Sequence, residues 1–216
     1  MQVMKIEKDL TELEIDIRDF FRREINPDLF TVSKKTLEHK FENWDKNTMQ
    51  ELKKKLERLC SNFKSGNKYG AVFTGDVGTG KTFAVDCIYN ELKEKFIVLR
   101  TNLSTILEVL KDNFNSNKDV NYSVKRFYKE LRYLDILILD DLGSEKKSEW
   151  RLEILFNIIN ICYENRKTLF ITTNMDKIEL EKHLKFNGTD KALDRILNIC
   201  YVVEFDEKMR KSLSNW

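Results

Sequence analysis

Gly75-Asp76-Val77-Gly78-Thr79-Gly80-Lys81-Thr82 follows the apolar run Ala71 to Phe73 and precedes a helical pattern that opens on Phe83. It has the form G-x-x-x-x-G-K-[ST], the signature of a phosphate-binding P-loop. Glycines let successive backbone N–H groups curl around a phosphate chain, and the helix that follows offers its positive N-terminus. Lys81 would then reach the β- and γ-phosphates and Thr82 would hold Mg2+. The alternative for so short a pattern is a Gly-rich surface turn before a helix. The strand, loop and helix context around it favours the P-loop.

A chain of 216 residues is long enough for one sizeable core with an appendage. Charged residues make up 34% and apolar ones 41%, with one Pro and seven Gly, which points to a helix-rich soluble protein and excludes disordered and fibrous classes. The net charge of +2 predicts no sweeping basic surface, so nucleic-acid contact would have to be local or built up by repeated subunits. Cys60, Cys87, Cys162 and Cys200 stand apart from one another in apolar or helical patterns and read as reduced core thiols. The N-terminus carries acidic residues where a secretory signal would be apolar, and no run approaches the length of a membrane span, so the expected compartment is the cytoplasm.

Working outward from the P-loop, unbroken apolar runs alternate with helical patterns, the signature of a parallel sheet covered on both faces. Strands are predicted at about Tyr69–Thr74, Phe96–Leu99, Leu134–Asp141, Thr168–Asn174 and Tyr201–Phe205. Helices are predicted at Asn47–Lys64, from Phe83 to Leu92, at Asn102–Phe114, after a cap at Ser123, at Ser148–Tyr163, up to Leu184 behind an Asp176/Glu179 capping box, and at Asp190–Asn198. Upstream, Ile6, Leu10, Leu13, Ile17, Phe20 and Phe21 form an amphipathic helical stripe that either packs on the main domain or docks a partner. Asn26-Pro27-Asp28 marks a turn, and the boundary between appendage and main domain is placed near residue 40. The basic residues Lys125, Arg126, Lys129 and Arg132 read as a solvated helix face, with single-stranded nucleic acid as the other reading. His39 and His183 belong to no constellation and receive no role.

Leu134-Asp-Ile-Leu-Ile-Leu-Asp-Asp-Leu-Gly143 is the second informative stretch. A strand ending in two carboxylates places both at the C-terminal edge of the sheet, where the P-loop also opens. Asp140 suits the Mg2+ shell, and Asp141 suits orienting and deprotonating an attacking water. Asn174, at the end of FITTN, is positioned to hydrogen-bond a γ-phosphate or that water.

GDVGTGKT, LILDDLG, FITTN and DKALDRI, in this order on their predicted elements, resemble the AAA+ ATPases, specifically the branch of DnaC and DnaI helicase loaders and IstB transposition helpers. The likeness spans roughly Phe41 to Arg210, with FENW, KTFAVDCIYNEL and LGSEKKSEW in agreement. It implies an α/β P-loop NTPase fold: a five-stranded parallel sheet between helices, no C-terminal lid domain, and a short helical N-terminal extension. It implies an ATPase that binds ATP/ADP and Mg2+, with Gly75 to Thr82 and the adjoining Phe83 contacting nucleotide. Thr82 and Asp140 would hold the metal, and Lys81, Asp140, Asp141 and Asn174 would serve catalysis. Arg195 matches the arginine finger that reaches a neighbouring subunit in a homo-oligomer, and Arg210 falls near a C-terminal arginine of loaders. Departures are Cys162 and Lys191 where members often carry Arg, either of which would weaken subunit coupling, and Asp141 for the usual Glu, which implies slow hydrolysis rather than none. Residues 1–40 lack the cysteines of a zinc domain, which leaves Ile6–Phe21 as the candidate dock for a replicative helicase, with single-stranded DNA as the second partner. The rival readings are a transposition helper, a small-molecule P-loop kinase, and an adaptor that binds ATP and barely hydrolyses it.

Overall fold

The computed structural model describes residues 32–64, 68–115, 120–145 and 148–206. The Ile6–Phe21 helix and Arg210 lie outside them. Five strands, β1 (Gly70–Thr74), β2 (Val98–Thr101), β3 (Ile136–Leu142), β4 (Thr168–Thr173) and β5 (Cys200–Glu204), form one sheet in the order β2-β3-β4-β1-β5. Every pairing is parallel. The helices are α1 (Lys34–Glu38), α2 (Gln50–Lys64), α3 (Lys81–Leu92), α4 (Leu103–Asn115), α5 (Val120–Leu131), α6 (Glu149–Glu164), α7 (Lys177–Leu184) and α8 (Lys191–Ile199).

The unbroken apolar runs are buried on both sides because side chains alternate across a strand. On β3, Ile136 and Ile138 pack with Phe73, Phe170 and the helices α2 and α3, while Leu137 and Leu139 pack with α4, α5, α6 and α8 on the opposite face. Each face thus has its own apolar core, and the sheet holds the P-loop and the β3 carboxylates along one edge. All four cysteines are free and buried. Burial pushes the Cys162 thiol up to about 12 and those of Cys87 and Cys200 up as well, so they are inert core groups. Among the described residues no helix is long and apolar enough to cross a membrane.

Three elements differ from the sequence expectation. The second strand starts at Val98 and runs on through Arg100 and Thr101, because Lys95 and Phe96 donate their N–H groups to Leu92 O and extend the turn after α3. Arg100 and Thr101 instead pair with Ile138 and Leu139 of β3. Helix α5 begins at Val120, so Ser123 falls inside it; the spacing Val120, Val124, Phe127, Leu131 carries the helical period one turn further back. The third is α1, a short helix in a stretch that reads as mixed and polar. Ser33 caps it by accepting from Thr36 N, and Thr36 itself is buried. The Thr36 and His39 carbonyls both accept from the Asn90 side chain, at 2.6 and 2.8 Å, so residues on the extension side of position 40 pack directly on α3.

Gly70 shows how tightly β1 is seated. A Cβ there would lie 1.8 Å from the backbone oxygen of Leu169. Gly70→Ala is therefore expected to lower stability by about 3 kcal/mol, read as a fall in the urea midpoint at unchanged slope. A midpoint shift equivalent to less than about 0.5 kcal/mol would show that β1 and β4 can part without cost.

Candidate functional site

The loop after β1 turns under its own lysine. Gly75 has φ 129°, and a Cβ on it would meet Phe205 O at 2.3 Å, so only glycine fits between the sheet and the residue that follows β5. The Lys81 ammonium donates to Gly75 O at 2.6 Å and to Asp76 O at 2.7 Å, and Thr79 Oγ1 donates to Asp76 O at 2.8 Å. Gly75, Asp76 and Thr79 thus shape the loop from beneath, while Val77, Gly78, Gly80, Lys81, Thr82 and Phe83 line a cleft of about 960 Å³. Gly80 caps α3 without a side-chain hydrogen bond, which leaves the first N–H groups of that helix facing the loop. Burial pushes the Lys81 ammonium down from its ordinary value, against the opposing pull of Asp141, Asp76 and Asp140.

In a regular strand Asp140 and Asp141 would point to opposite faces. The register between β3 and β4 shifts between Leu139 and Leu142, and Asp141 adopts φ 57°, so a bulge turns both carboxylates into the same cleft. Thr172 on β4 fixes the bulge: its hydroxyl accepts from Asp141 N at 2.7 Å and donates to Asp140 Oδ1 at 2.6 Å. Thr82 Oγ1 also donates to Asp140 Oδ1, at 3.1 Å. The exposed Asn174 reaches Asp141 Oδ1 with its side-chain amide at 3.4 Å.

The structure therefore brings Lys81, Thr82, Asp140, Asp141 and Asn174 to one cleft. Arg195 is elsewhere. On α8, its guanidinium lies over the rings of Phe156 (5.0 Å) and Tyr163 (5.9 Å) of α6, and its Nη1 is buried without a hydrogen-bond partner among the described residues.

Three residues that sequence reading passed over join the site. Arg100 Nη2 donates to Asp140 Oδ2 at 2.7 Å, Arg100 Nε donates to Asp86 Oδ1 at 2.6 Å, and His39 Nδ1 meets Asp86 Oδ2 at 2.7 Å. Burial pushes the Asp86 carboxyl up, and Arg100 and His39 only partly offset it. The available signal was a carboxylate set among Ala84, Val85, Cys87 and Ile88, where an unpaired charge would not be tolerated.

His183 also has a role. Its Nε2 lies 3.0 Å from Glu145 Oε1, both side chains are 4% exposed, and Glu145 Oε2 accepts from Gly143 N at 2.9 Å, which ties the turn after Asp141 to α7. Burial alone would push the Glu145 carboxyl up, yet the hydrogen bonds from His183 and the backbone outweigh it and hold it below its ordinary 4.5. A depressed carboxylate contributes stability above its ordinary value and loses it as the pH falls through its folded value. From about pH 5 down through that folded value, below 4.5, the wild type should lose more stability than Glu145→Gln, measured by urea midpoints; equal losses would contradict this pairing.

Comparison with known proteins gives the family. The profile described as IstB-like ATP binding protein matches residues 5–215. The chromosomal replication initiator protein DnaA of Borrelia hermsii is 34% identical over 134 residues, 60% of this chain and 26% of that protein, so the chain spans about a quarter of the length of the curated relatives it matches. The crystal structure of the DnaC helicase loader superposes with a TM-score of 0.66 at 24% identity, covering 80% of this chain and 99% of the other. That of DnaI gives a TM-score of 0.64 at 22% identity, covering 81% and 95%. These likenesses agree in fold with the β2-β3-β4-β1-β5 sheet and its P-loop. The chain belongs to the IstB-like ATP-binding protein family, on the AAA+ form of the α/β P-loop NTPase fold.

Proposed function

We propose that the protein hydrolyses ATP and loads a replicative DNA helicase onto single-stranded DNA in the cytoplasm. The observation that carries the ATPase reading is the bulge that turns Asp140 and Asp141 together into the P-loop cleft, beside Thr82 and Asn174. Lys81, poised on the loop carbonyls, would exchange those contacts for the β- and γ-phosphates. Asp141 would accept a proton from the attacking water, and Asn174 would orient it. A magnesium ion fits the donor set: Thr82 Oγ1 and Asp140 Oδ1 are hard oxygens 3.1 Å apart at the N-terminus of α3. Bound there, it would supply charge neutralisation at the phosphates.

Arg195 lies outside its own chain's cleft, on a partly exposed face of α8, which together with its match to the arginine finger supports a finger that reaches the next subunit of a homo-oligomer once it leaves the Phe156 and Tyr163 rings. The likeness to DnaC and DnaI supports a helicase as partner, with residues 1–40 as the docking element. Exposed Lys125, Lys129 and Arg132 on or just beyond α5 suit the DNA backbone, while Arg126 is tied to Glu130 at 2.6 Å. The IstB-like family match keeps a transposition helper as the second reading.

The test is the ATPase rate per subunit against protein concentration, with single-stranded DNA, duplex DNA or the replicative helicase of the same genome added. A rate that climbs with concentration, single strands and helicase supports the loader, provided that removal of residues 1–31, which leaves Thr36 and His39 seated on α3, abolishes helicase binding. Stimulation by duplex DNA alone favours the transposition helper, and phosphate transfer only to an added small acceptor would make the protein a kinase.

A further inference from the structure

The cleft does not end at the P-loop. It continues along residues 32–45, where Ser33, Thr36, His39 and Asp45 form its wall. That wall is joined to the β3 carboxylate by an unbroken run of side chains: His39, Asp86, Arg100, Asp140. Asp86, only 1% exposed, sits at its middle and uses one oxygen for each neighbour. His39 is itself held on α3, with its ring 4.7 Å from that of Phe83 and its carbonyl bound by Asn90.

This geometry contains a competition. A carboxylate prefers to take a guanidinium with both oxygens. While His39 occupies Asp86 Oδ2, Arg100 meets Asp86 through Nε alone, and its Nη2 remains available to Asp140 Oδ2. If the wall lifts and His39 leaves, the freed Asp86 oxygen draws the guanidinium into a two-point grip through Nε and one N–H of Nη2, and the Nη2 bond that orients the outer oxygen of Asp140 is pulled out of its present alignment. The inner oxygen stays held by Thr172 and Thr82, while the outer one is held less well.

We propose that Arg100 and Asp86 are positioning residues that link the seating of residues 33–44 to Asp140, so that nucleotide binding and docking of that segment strengthen one another. The inference rests on the nucleotide-site reading above. It also gives a helicase held by the N-terminal extension a route to the nucleotide, because the segment leads directly out of that extension. Linkage is reciprocal: the factor by which the seated segment tightens nucleotide is the factor by which nucleotide seats the segment.

The experiment uses the full chain, with fluorescent mant-ATP and Mg2+ for affinity and backbone hydrogen exchange for residues 33–44. In the wild type, Mg·ATP should slow exchange there about five-fold or more. His39→Ala and Arg100→Met should each weaken mant-ATP binding by a similar factor and lose the nucleotide-dependent protection. The double variant should bind no worse than either single one, because both cut the same chain. Protection that persists in Arg100→Met would mean that nucleotide touches the segment directly, and additive losses in the double variant would mean two independent roles; either result overturns the linkage while the nucleotide site stands. A wild type that binds mant-ATP without changing exchange at these amides overturns it equally. A wild type that binds no mant-ATP overturns both the linkage and the site on which it rests.

Discussion

Arg195→Ala is expected to lower ATP hydrolysis by the assembled protein about 1,000-fold or more, the scale on which an arginine finger acts. Nucleotide affinity should stay within about two-fold, because the residue lies outside the cleft of its own chain. The fold should tolerate the change. The guanidinium contributes two ring contacts, worth about 1 kcal/mol in all, and its buried Nη1 has no hydrogen-bond partner among the described residues, so truncation removes a desolvated donor as well as a stacked cation. Hydrolysis at the wild-type rate, with urea stability unchanged, would show Arg195 to be only a lid on Phe156 and Tyr163.

Asp141→Asn is expected to cost about 100-fold or more in hydrolysis and nothing in binding. The shape is preserved, and asparagine accepts the φ of 57° that the bulge imposes. The hydrogen bond from the backbone N–H of residue 141 to Thr172 does not involve the side chain. What is lost is a proton acceptor, and a positioned acceptor contributes about 100- to 10,000-fold. The measurement is single-turnover hydrolysis beside mant-ATP titration. A fall in affinity that matches the fall in rate would mean that Asp141 holds the nucleotide rather than the water.

The parts of the site legible in the sequence are those written contiguously. The P-loop and the Asp140-Asp141 pair each sit within one strand end and its turn, and the requirement for glycine, lysine or carboxylate shows in the local pattern. The five-stranded parallel sheet was legible for a related reason: runs such as Ile136–Leu139 can be buried on two faces only between layers of helices. Arg100, Asp86 and His39 were not legible, because their meeting depends on register across separate elements. The expected strand ended at Leu99, since Arg100 and Thr101 look polar. The pairing of those two with Ile138 and Leu139 brings Arg100 beside Asp140. Thr172 is one of two adjacent strand threonines in the sequence, and only the bulge in β3 gives its hydroxyl two partners at the site. His183 and Glu145 lie 38 positions apart and meet only because α7 folds back over the turn after β3.

Resemblance singled out Arg195 where spacing alone could not, and the structure places its guanidinium over the rings of Phe156 and Tyr163. The central claim is that one nucleotide site is built from two chains, with Lys81 from one and Arg195 from the next. Mixing Lys81→Ala with Arg195→Ala, each inactive alone, tests it most directly. At equal amounts about a quarter of the junctions would pair an intact P-loop with an intact arginine, and hydrolysis should recover toward that fraction of the wild-type rate. A mixture as inactive as its components, under conditions where the wild type assembles and hydrolyses ATP, would contradict a shared site.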